Sequence, residues 1–527
     1  MPAAEAQNRQ FYWILFESGT LLRPMLDAYL KRILLARVYE AATETSLDFA
    51  PALSRRFRNR IWLKREDEQP VFSFKLRGAY NKMIGLPPEA LAKGVVASSA
   101  GNHAQGVALS AQKLGAKATI VMPVTTPQIK VDAVKSFGAE VVLVGDNYDA
   151  AYEHALALQK EQGLTFIHPY DDPDVIAGQG TVGMEIMKQH PAPIDAVFVA
   201  VGGGGLIAGV GVAFKALRPS TKIIGVEPED ADAMTRSLEL GKRVKLERVG
   251  RFADGVAVRQ VGKETFRIAR EVVDQMIVVS NDEICAAMKD IFEDRRCVLE
   301  PAGALAFAGL KRYVETTGCK DRSFVSIACG ANVNFDSLRH VSERAEIGER
   351  REAVIAVEIP EEPGSFRQFC SELGGYEVTE LNYRFAGRNK GHVFLGVKTN
   401  SAFEGEQLAE ALRRAGYAAL NLTDNEMAKL HIRHMVGGRA ESAAGERFYH
   451  VAFPERKGAL GEFLDKMKQP WFITLFHYRN HGSDFGRVFL GIQIPDRDVP
   501  VFERYLRILG YEHTDETDNP ACKLFLE

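Results

Sequence analysis

The chain has 527 residues, of which 46% are hydrophobic and 26% are charged, and its formal net charge at pH 7 is −3. This composition predicts a soluble globular protein of several domains, and the near-neutral charge argues against nucleic-acid binding. The six cysteines form no C-x-x-C pair, no apolar run approaches the ~20 residues of a membrane span, and no signal-peptide pattern opens the chain. We therefore expect a cytoplasmic protein that makes no membrane contact and has no zinc or dithiol chemistry.

Residues 1–25 are predicted to form an N-terminal extension, and residues 26–345 a domain of alternating strands and helices. The predicted strands are Ile61–Lys64, Val95–Ser98, Lys117–Met122, Glu140–Val144, Asp195–Val201, Lys222–Val226, Gln275–Ser280 and Phe324–Ala328. The predicted helices include one ending at Leu114, Pro127–Phe137, Tyr148–Gln162, Leu206–Leu217 and Asn281–Arg296. The strands are almost wholly apolar, as expected of strands covered on both faces. This alternation predicts an α/β fold with a largely parallel sheet.

After residue 350 the sequence repeats itself. Val357–Pro360 is echoed by Val451–Pro454, and His392–Val397 is echoed by Arg487–Ile492, so the offset is 94 or 95 positions. Each copy is predicted to run strand, glycine-containing turn, helix, two strands, helix and strand. The repeat therefore predicts two small α+β domains, at residues 350–437 and 445–527.

A lysine at the start of a predicted helix is the first candidate for chemistry. Lys75 follows Ser73 and Phe74 and precedes Arg77 and Gly78. The positive end of a helix disfavours the lysine charge, which would lower the pKa and favour the neutral amine that a Schiff base needs. A lysine among apolar residues is also a common surface feature whose stem covers apolar groups, so this segment alone decides nothing.

Four consecutive glycines, Gly202, Gly203, Gly204 and Gly205, stand between a predicted strand and the helix that opens at Leu206. Without Cβ atoms the backbone can close around a phosphate, whose oxygens the free N–H groups at the helix start can bind. Gly203, Gly205 and Ala208 also fit G-x-G-x-x-A, with Glu227 at the end of the next strand, and so resemble a dinucleotide fingerprint. A nicotinamide-dependent oxidoreductase is therefore the alternative at this point.

A second strand-to-helix junction carries Ser98, Ser99, Ala100, Gly101, Asn102 and His103. Small residues and free N–H groups at such a junction can receive a carboxylate. A capped helix start without function is an equal alternative, because serine and asparagine are both favoured helix caps.

Five motifs in order carry a resemblance that covers nearly the whole chain. They are S-F-K-L-R-G at 73–78, S-A-G-N-H-A-Q-G at 99–106, G-G-G-G-L at 202–206, E-P-A-G-A at Glu300–Ala304 and G-A-N-V-N-F at Gly330–Phe335. Together they closely resemble the fold-type II pyridoxal-phosphate enzymes, which have a tryptophan synthase β-like catalytic domain with parallel sheets. Within that group the chain is similar to the biosynthetic threonine dehydratases. The downstream repeat resembles their pair of ACT-like regulatory domains.

The resemblance implies roles for the residues around the cofactor. Lys75 would form the covalent imine with pyridoxal 5′-phosphate, Phe74 would pack near its ring, and Asn102 would hydrogen-bond its 3-hydroxyl. The residues that would hold its phosphate are Gly202, Gly203, Gly204, Gly205 and Leu206. Cys329 stands where many relatives place a serine beside the ring nitrogen, and a neutral thiol should likewise leave that nitrogen unprotonated.

The resemblance also implies a substrate site. The residues that would receive the substrate carboxylate are Ser98, Ser99, Ala100 and Gly101, and Asp254 and Gly255 match a family loop near the substrate. Serine racemases carry a second serine at the position of Ala100, so alanine there speaks against racemisation. Some relatives bind a divalent cation with an acidic residue six positions after the equivalent of Glu227, but this chain has Ala233 there, so we expect no metal.

We therefore expect a lyase that dehydrates and deaminates L-threonine to 2-oxobutanoate and ammonia, the first committed step of isoleucine biosynthesis. By resemblance, the effectors are isoleucine as inhibitor and valine as activator, and the assembly is a homotetramer. Tyr383 and Tyr478, at equivalent places in the repeat, are the candidates for effector contact. A broader serine/threonine dehydratase stays open, because one methyl group is worth only about 1–3 kcal/mol of discrimination. A cofactor-binding scaffold without activity is the non-enzymatic alternative.

Overall fold

The structure is a computed structural model. It describes residues 24–526 except 336, 349–350, 361–364, 374–375, 377, 385–389, 433–444, 455–462, 464–465, 468–470 and 480–484. Contacts divide the chain into two compact units, Met1–Val333 and Asn334–Glu527. Nearly all of the predicted N-terminal extension lies outside the described residues, which begin with a helix over residues 24–34.

The first unit contains ten strands among its described residues. They are β1 (Leu47–Phe49), β2 (Arg60–Arg65), β3 (Val95–Ser98), β4 (Ala118–Met122), β5 (Glu140–Leu143), β6 (Thr165–Phe166), β7 (Ala196–Ala200), β8 (Lys222–Pro228), β9 (Gln275–Val279) and β10 (Ser323–Ala328). The central strands are apolar and buried along their whole length, as in β7 and β10. This burial on both faces explains why their sequences do not alternate.

These strands form two sheets. The larger has the order β1-β2-β10-β7-β8-β9 and the smaller has the order β5-β4-β3-β6. All neighbours pair in parallel except β1 and β2, which are antiparallel. The predicted α/β class with parallel sheets is confirmed, and the finding adds that the strands divide between two sheets.

Twelve labelled helices connect and cover these strands. They are α1 (Pro51–Phe57), α2 (Lys75–Ile84), α3 (Pro88–Lys93), α4 (Asn102–Leu114), α5 (Gln128–Ser136), α6 (Tyr148–Gln162), α7 (Pro173–Gln189), α8 (Gly205–Leu217), α9 (Ala233–Leu240), α10 (Lys263–Val272), α11 (Asn281–Arg295) and α12 (Pro301–Thr317). Their starts follow local chemistry. Asn147 caps α6 by accepting from Ala150 N, and Ser280 and Glu283 form a reciprocal capping box on α11.

A fully buried ionic network anchors helix α2 beneath the larger sheet. Arg77 pairs with Glu66 at 2.7 Å and with Glu185 at 2.5 Å, while Lys64 pairs with Glu185 at 2.6 Å. All four side chains are at most 2% exposed. Two cations balance two carboxylates, which is the condition for burying such charges. Because Arg77 lies two residues after Lys75, this network fixes the start of the helix that carries the lysine.

The second unit contains eight strands among its described residues. They are β11 (Glu352–Pro360), β12 (Val378–Arg384), β13 (Lys390–Lys398), β14 (Ala418–Asn421), β15 (Glu446–Pro454), β16 (Phe472–Arg479), β17 (Phe485–Gln493) and β18 (His513–Asp515). Its labelled helices are α13 (Ser337–Gly348), α14 (Ser365–Glu372), α15 (Ala402–Arg414), α16 (Glu426–Leu430), α17 (Val499–Ile508) and α18 (Pro520–Phe525). The two antiparallel sheets have matching orders, β12-β13-β11-β14 and β16-β17-β15-β18. The predicted repeat of an α+β unit is confirmed.

The two copies share an apolar core built from equivalent positions. Phe394 and Phe489, which are 95 positions apart, lie in one cluster with Val354 and Phe448, which are 94 apart. All four side chains are at most 1% exposed. Each copy thus buries one sheet face under its own helices and contributes the other to the shared core.

One carboxylate joins three parts of the second unit. Glu426, at the start of α16, accepts two hydrogen bonds from the Arg344 guanidinium of α13, at 2.6 and 2.8 Å. Arg487 of β17 lies 3.3 Å from the same carboxylate. Helix α13, the first copy of the repeat and the second copy therefore meet at Glu426.

None of the helices described is long and apolar enough to cross a bilayer.

Candidate active site

Lys75 is the first residue of α2, as predicted, and its side chain is half-buried. Nζ lies 3.0 Å from the carbonyl oxygen of Pro169 and 5.4 Å from the centre of the Phe74 ring. Burial lowers the pKa of Lys75 to about 8, with smaller opposing contributions from Cys329 and Glu300. The lowering of the Lys75 pKa agrees with the sequence prediction. Its principal cause, however, is the removal of the amine from solvent, whereas the sequence argument used the helix dipole.

The glycine loop leads from β7 into α8 and leaves no room for side chains. A Cβ on Gly203 would lie 2.3 Å from the Tyr170 ring, one on Gly205 would lie 2.4 Å from Gln179 Oε1, and Gly204 has φ +94°. The Gly203 carbonyl accepts from Thr265 Oγ1 at 2.6 Å, which fixes the loop. These contacts explain why glycine is required at consecutive positions.

The loop presents unused donors. Within the described part of the chain, no hydrogen bond is made by the backbone N–H groups of Gly203, Gly204, Gly205 and Leu206. The first N–H groups of any helix lack partners within the helix, and here those of Gly205 and Leu206 adjoin two more free N–H groups of the preceding loop, so that the four offer a backbone cradle. The cradle therefore fits the phosphate of pyridoxal 5′-phosphate.

Asn102 begins α4 and lies in a short chain of hydrogen bonds. Its Nδ2 donates to Glu300 Oε1 at 2.6 Å, and its Oδ1 accepts from Asn332 Nδ2 at 2.7 Å. Cys329, at the end of β10, donates from Sγ to the Ala302 carbonyl at 3.2 Å. Burial raises the pKa of the Cys329 thiol well above its usual range, so the thiol is neutral. A neutral group here suits an unprotonated pyridine nitrogen.

The loop from Ser98 to Gly101 joins the carboxyl end of β3 to α4. Ser98 is fully buried, and its Oγ has no partner among the described residues. Gly101 donates its N–H to Ser99 Oγ at 3.3 Å, and a Cβ on Gly101 would meet no atom within 4 Å. The half-buried loop, which includes Ala100, therefore combines polar groups with open space, as a carboxylate site requires.

The predicted loop at Asp254 and Gly255 is a short 3₁₀ turn over Asp254–Val256. A Cβ on Gly255 would lie 3.8 Å from Asn102 Nδ2, so this turn borders the ring site. The Asp254 carboxylate pairs with Lys130 of α5 at 2.5 Å. The structure thus brings Gly255 close to Asn102, while the side chain of Asp254 has a partner in α5.

Several polar residues at this site had no role assigned from sequence. Glu300 and Asn332 belong to two of the five family motifs, but no role was predicted for them. Tyr170 and Gln179 lie in no motif. His103 is buried, and burial lowers its pKa to about 3, so the ring is neutral and donates to the Ile167 carbonyl at 2.8 Å. The motif positions of Glu300 and Asn332 were the available signal.

Glu227, the acidic residue of the dinucleotide alternative, has hydrogen-bond partners within the protein. The two carboxylate oxygens of Glu227 accept from Met234 N at 2.8 Å and from Thr235 N at 2.8 Å, so this side chain caps α9.

In the described ranges, no group of three or more His, Cys, Asp or Glu side chains could hold a metal ion. The two candidates for effector contact are Tyr383 in β12 and Tyr478 in β16, and their side chains lie outside the described part of the chain.

Comparison with known families agrees with this geometry. Residues 38–330 match the family of pyridoxal-phosphate dependent enzymes, and residues 343–432 and 437–526 each match the C-terminal regulatory domain of threonine dehydratase. The sheets, Lys75 and the glycine cradle define the class as a pyridoxal-phosphate-dependent lyase with a paired regulatory module.

Individual relatives narrow this class. The chain is 55% identical to the biosynthetic L-threonine dehydratase IlvA of Burkholderia multivorans, over 94% of this chain and 99% of that one. It is 52% identical to the Escherichia coli IlvA, over 94% and 97%. A solved structure of processed threonine deaminase isoform 2 from Solanum lycopersicum aligns with a TM-score of 0.60 and 53% identity, covering 61% of this chain and 94% of that one. The chain belongs to the biosynthetic threonine dehydratase family, as its motifs predicted.

Proposed function

We propose that this chain converts L-threonine to 2-oxobutanoate and ammonia with pyridoxal 5′-phosphate, as the first committed step of isoleucine biosynthesis. One observation carries the proposal. A half-buried lysine, a cradle of free N–H groups and the Asn102 amide belong to one compact unit. These three features match the aldehyde, the phosphate and the ring oxygen of one cofactor.

The proposed cofactor contacts follow the sequence assignment. Lys75 would hold the aldehyde carbon, Phe74 would pack near the ring, and Cys329 would face the ring nitrogen. The phosphate would be held by Gly202, Gly203, Gly204, Gly205 and Leu206. When bound, the cofactor supplies an electron sink that acidifies the substrate Cα–H.

The chain's own residues would then orient the substrate and move its proton. The segment formed by Ser98, Ser99, Ala100 and Gly101 would receive the carboxylate. The amine of Lys75, displaced by the substrate amine, would take the Cα proton at Nζ. The Pro169 carbonyl, 3.0 Å from Nζ, would accept a hydrogen bond from the resulting ammonium. Loss of the β-hydroxyl as water gives an enamine, and its hydrolysis releases ammonia and 2-oxobutanoate.

Regulation is the second part of the proposal. Isoleucine would inhibit the enzyme, and valine would oppose that inhibition, by binding the module formed by residues 350–437 and 445–527. Tyr383 and Tyr478 are the candidate contacts of these effectors. Two matches to a threonine dehydratase regulatory domain support this assignment. We further propose residues 1–25 as an extension, 26–345 as the catalytic domain, a homotetramer and a cytoplasmic location.

Turnover of purified full-length protein tests the activity. Formation of 2-oxo acid from L-threonine is expected, and its absence would refute the proposal. L-Serine assayed in parallel decides whether the enzyme is a broader serine/threonine dehydratase. Isoleucine should lower turnover at subsaturating threonine, and valine should restore it. The variants Tyr383→Ala and Tyr478→Ala should change the response to these effectors while leaving uninhibited turnover intact.

A further inference from the structure

Glu300 is a buried carboxyl group whose nearest cations, Lys75 and Lys130, act on it only through space. It precedes α12 as the N-cap residue, yet its side chain makes no capping hydrogen bond to that helix. The residue is only 3% exposed, and among the described residues no lysine, arginine or histidine forms an ion pair with it. Its side-chain partner is instead Asn102, 198 residues away in sequence. Burying such a group costs free energy unless hydrogen bonds compensate for the lost water, so its bond to Asn102 calls for an explanation.

The hydrogen bonds around Asn102 determine which way its amide faces. Asn332 donates from Nδ2 to Asn102 Oδ1 at 2.7 Å and to the Val71 carbonyl at 2.8 Å. Asn102 Oδ1 is therefore an acceptor, and Asn102 Nδ2 must be the atom that donates to Glu300. A side-chain amide has two N–H groups. One is used by Glu300, and one remains available to an acceptor in the site.

Two glycines allow the carboxyl and amide groups to meet. A Cβ on Gly330 would lie 2.4 Å from Glu300 Oε1 and 3.2 Å from Asn102 Nδ2. A Cβ on Gly255 would lie 3.5 Å from Glu300 Oε1. The pair thus occupies space that the main chain leaves free on two sides. Gly330 directly follows Cys329, so the pair borders the residue assigned to the cofactor ring nitrogen.

We propose that Glu300 is a positioning residue which, together with Asn332, fixes the Asn102 amide so that its second N–H serves the ring oxygen of the cofactor. This inference rests on the proposed function, because it assumes that the cofactor binds at this site. Burial raises the pKa of Glu300 to about 7, with Asp254 as the next contributor. The proposed role is compatible with both protonation states, because each keeps an oxygen that accepts from Asn102.

Two substitutions in the full-length holoenzyme test the role. Glu300→Ala removes the acceptor and should shift the visible absorption maximum of the bound cofactor and weaken cofactor binding by about tenfold, the loss of one hydrogen bond. Glu300→Gln keeps an acceptor oxygen. It should restore the wild-type absorption maximum and bring the cofactor affinity to within about threefold of wild type. An unshifted band with unchanged cofactor affinity in Glu300→Ala would overturn the proposal.

Glu227→Ala is the matched control for Glu300→Ala. Glu227 is likewise buried, and burial raises its pKa to about 7, but its partners are Met234 and Thr235 in α9. This substitution should leave the absorption band and the cofactor affinity unchanged. A band shift in Glu227→Ala equal to that in Glu300→Ala would show that loss of any buried carboxyl group affects the cofactor, and the specific role of Glu300 would be rejected.

A double substitution separates positioning from general damage. If Glu300 acts through Asn102, adding Glu300→Ala to Asn102→Ala should change the band no further, whereas additive shifts would contradict the proposal. Should Glu300→Ala fail to fold, Asn332→Ala replaces it, since loss of that donor frees the amide to turn and should also shift the band. An unshifted band in that variant would then overturn the proposal. Wild-type protein without cofactor absorption or threonine turnover would instead refute the proposed function.

Discussion

The two units of the chain place their charges differently. In the first unit, Arg77 and Lys64 meet Glu66 and Glu185 with every side chain at most 2% exposed. In the second unit, the carboxylate that joins three elements, Glu426, is 46% exposed, although its partner Arg344 is only 6% exposed. Buried pairs are nearly unscreened and fix geometry, whereas exposed pairs are weak and sensitive to salt. The first arrangement suits a lysine that must stay in place, and the second suits a junction that can be rearranged.

The sheets differ in the same sense. Three parallel strands place candidate site residues at their carboxyl ends: β3 ends at Ser98, β7 is followed by Gly202, and β10 is followed by Cys329. Ligands of open α/β folds bind at such carboxyl ends. The antiparallel sheets of the second unit instead use one face to join two copies. Substitutions at these strand ends of the first unit should therefore affect cofactor binding and turnover, whereas those in the antiparallel sheets should affect stability modestly.

The largest effect is expected at the lysine. Lys75→Ala should remove the visible absorption of the bound cofactor and lower kcat by about 10⁴-fold or more, because the covalent link and the base are lost together. Absorption spectra and a 2-oxo acid assay measure both. Lys82→Ala on the same helix is the control, since Lys82 pairs with Asp172 and Asp174 away from this chemistry. Full turnover by Lys75→Ala would contradict the assignment.

Breaking the buried network should give the next largest effect. Arg77→Met leaves Glu66 and Glu185 with too few cations and should lower the free energy of unfolding by about 3–5 kcal/mol. Arg322→Met is the matched control, because Arg322 is exposed and its pair with Asp195 should contribute less than about 1 kcal/mol. Denaturant unfolding of both variants provides the comparison. Equal losses would show that burial of the pair is not what matters.

The glycine cradle should be the next most sensitive part. Gly204→Ala places a Cβ 2.6 Å from Met234 Cε at a residue with φ +94°. Cofactor affinity should fall by about 10²-fold, because the loop must move away from the phosphate. Gly241→Ala is the control, since Gly241 also has positive φ (+66°) but no atom lies within 4 Å of its Cβ position. Unchanged cofactor affinity in Gly204→Ala would argue against the cradle.

The pH dependence of cofactor uptake tests the electrostatics of Lys75. The neutral amine is the reactive form, and burial lowers its pKa to about 8. The rate at which apoenzyme takes up pyridoxal phosphate should therefore rise about tenfold from pH 7 to pH 9 and then level off. A rate that kept rising towards pH 10.5 would indicate an exposed lysine with an ordinary pKa.

The smallest effect is expected in the second unit. The Arg344 guanidinium holds the pKa of Glu426 below its ordinary value of 4.5, although burial opposes the shift. A lowered folded-state pKa stabilises the fold above pH 4.5, and the contribution is lost as pH falls below that value. Glu426→Gln should therefore cost about 1 kcal/mol at pH 7, less in high salt and less at pH 4.

Asp518→Asn is the control for that measurement, because Asp518 is fully exposed and its pair with Lys523 should contribute nothing measurable. Thermal unfolding at both pH values gives the comparison. A cost of Glu426→Gln that stayed constant between pH 7 and pH 4 would show that its charge is not the source of the stability.

Local sequence predicted the elements well and the long-range contacts poorly. Val95–Ser98 and Tyr148–Gln162 were predicted with the bounds that the structure has, because apolar runs and helix caps are local signals. The division into two sheets could not be predicted, since strand pairing depends on residues far apart. The contact of Asn102 with Glu300 spans 198 residues for the same reason. The main cause of the lowered pKa of Lys75, burial, also depends on residues far away in sequence and could not be predicted.

Chemical trapping tests the central claim most directly. Borohydride reduction of the full-length holoenzyme turns an imine between lysine and the cofactor into a stable amine, and peptide mass mapping then identifies the lysine. We expect the pyridoxyl phosphate mass on the peptide that contains Lys75, and its loss when threonine is added before reduction. An adduct on another lysine, or no adduct in protein that carries the cofactor, would contradict this account.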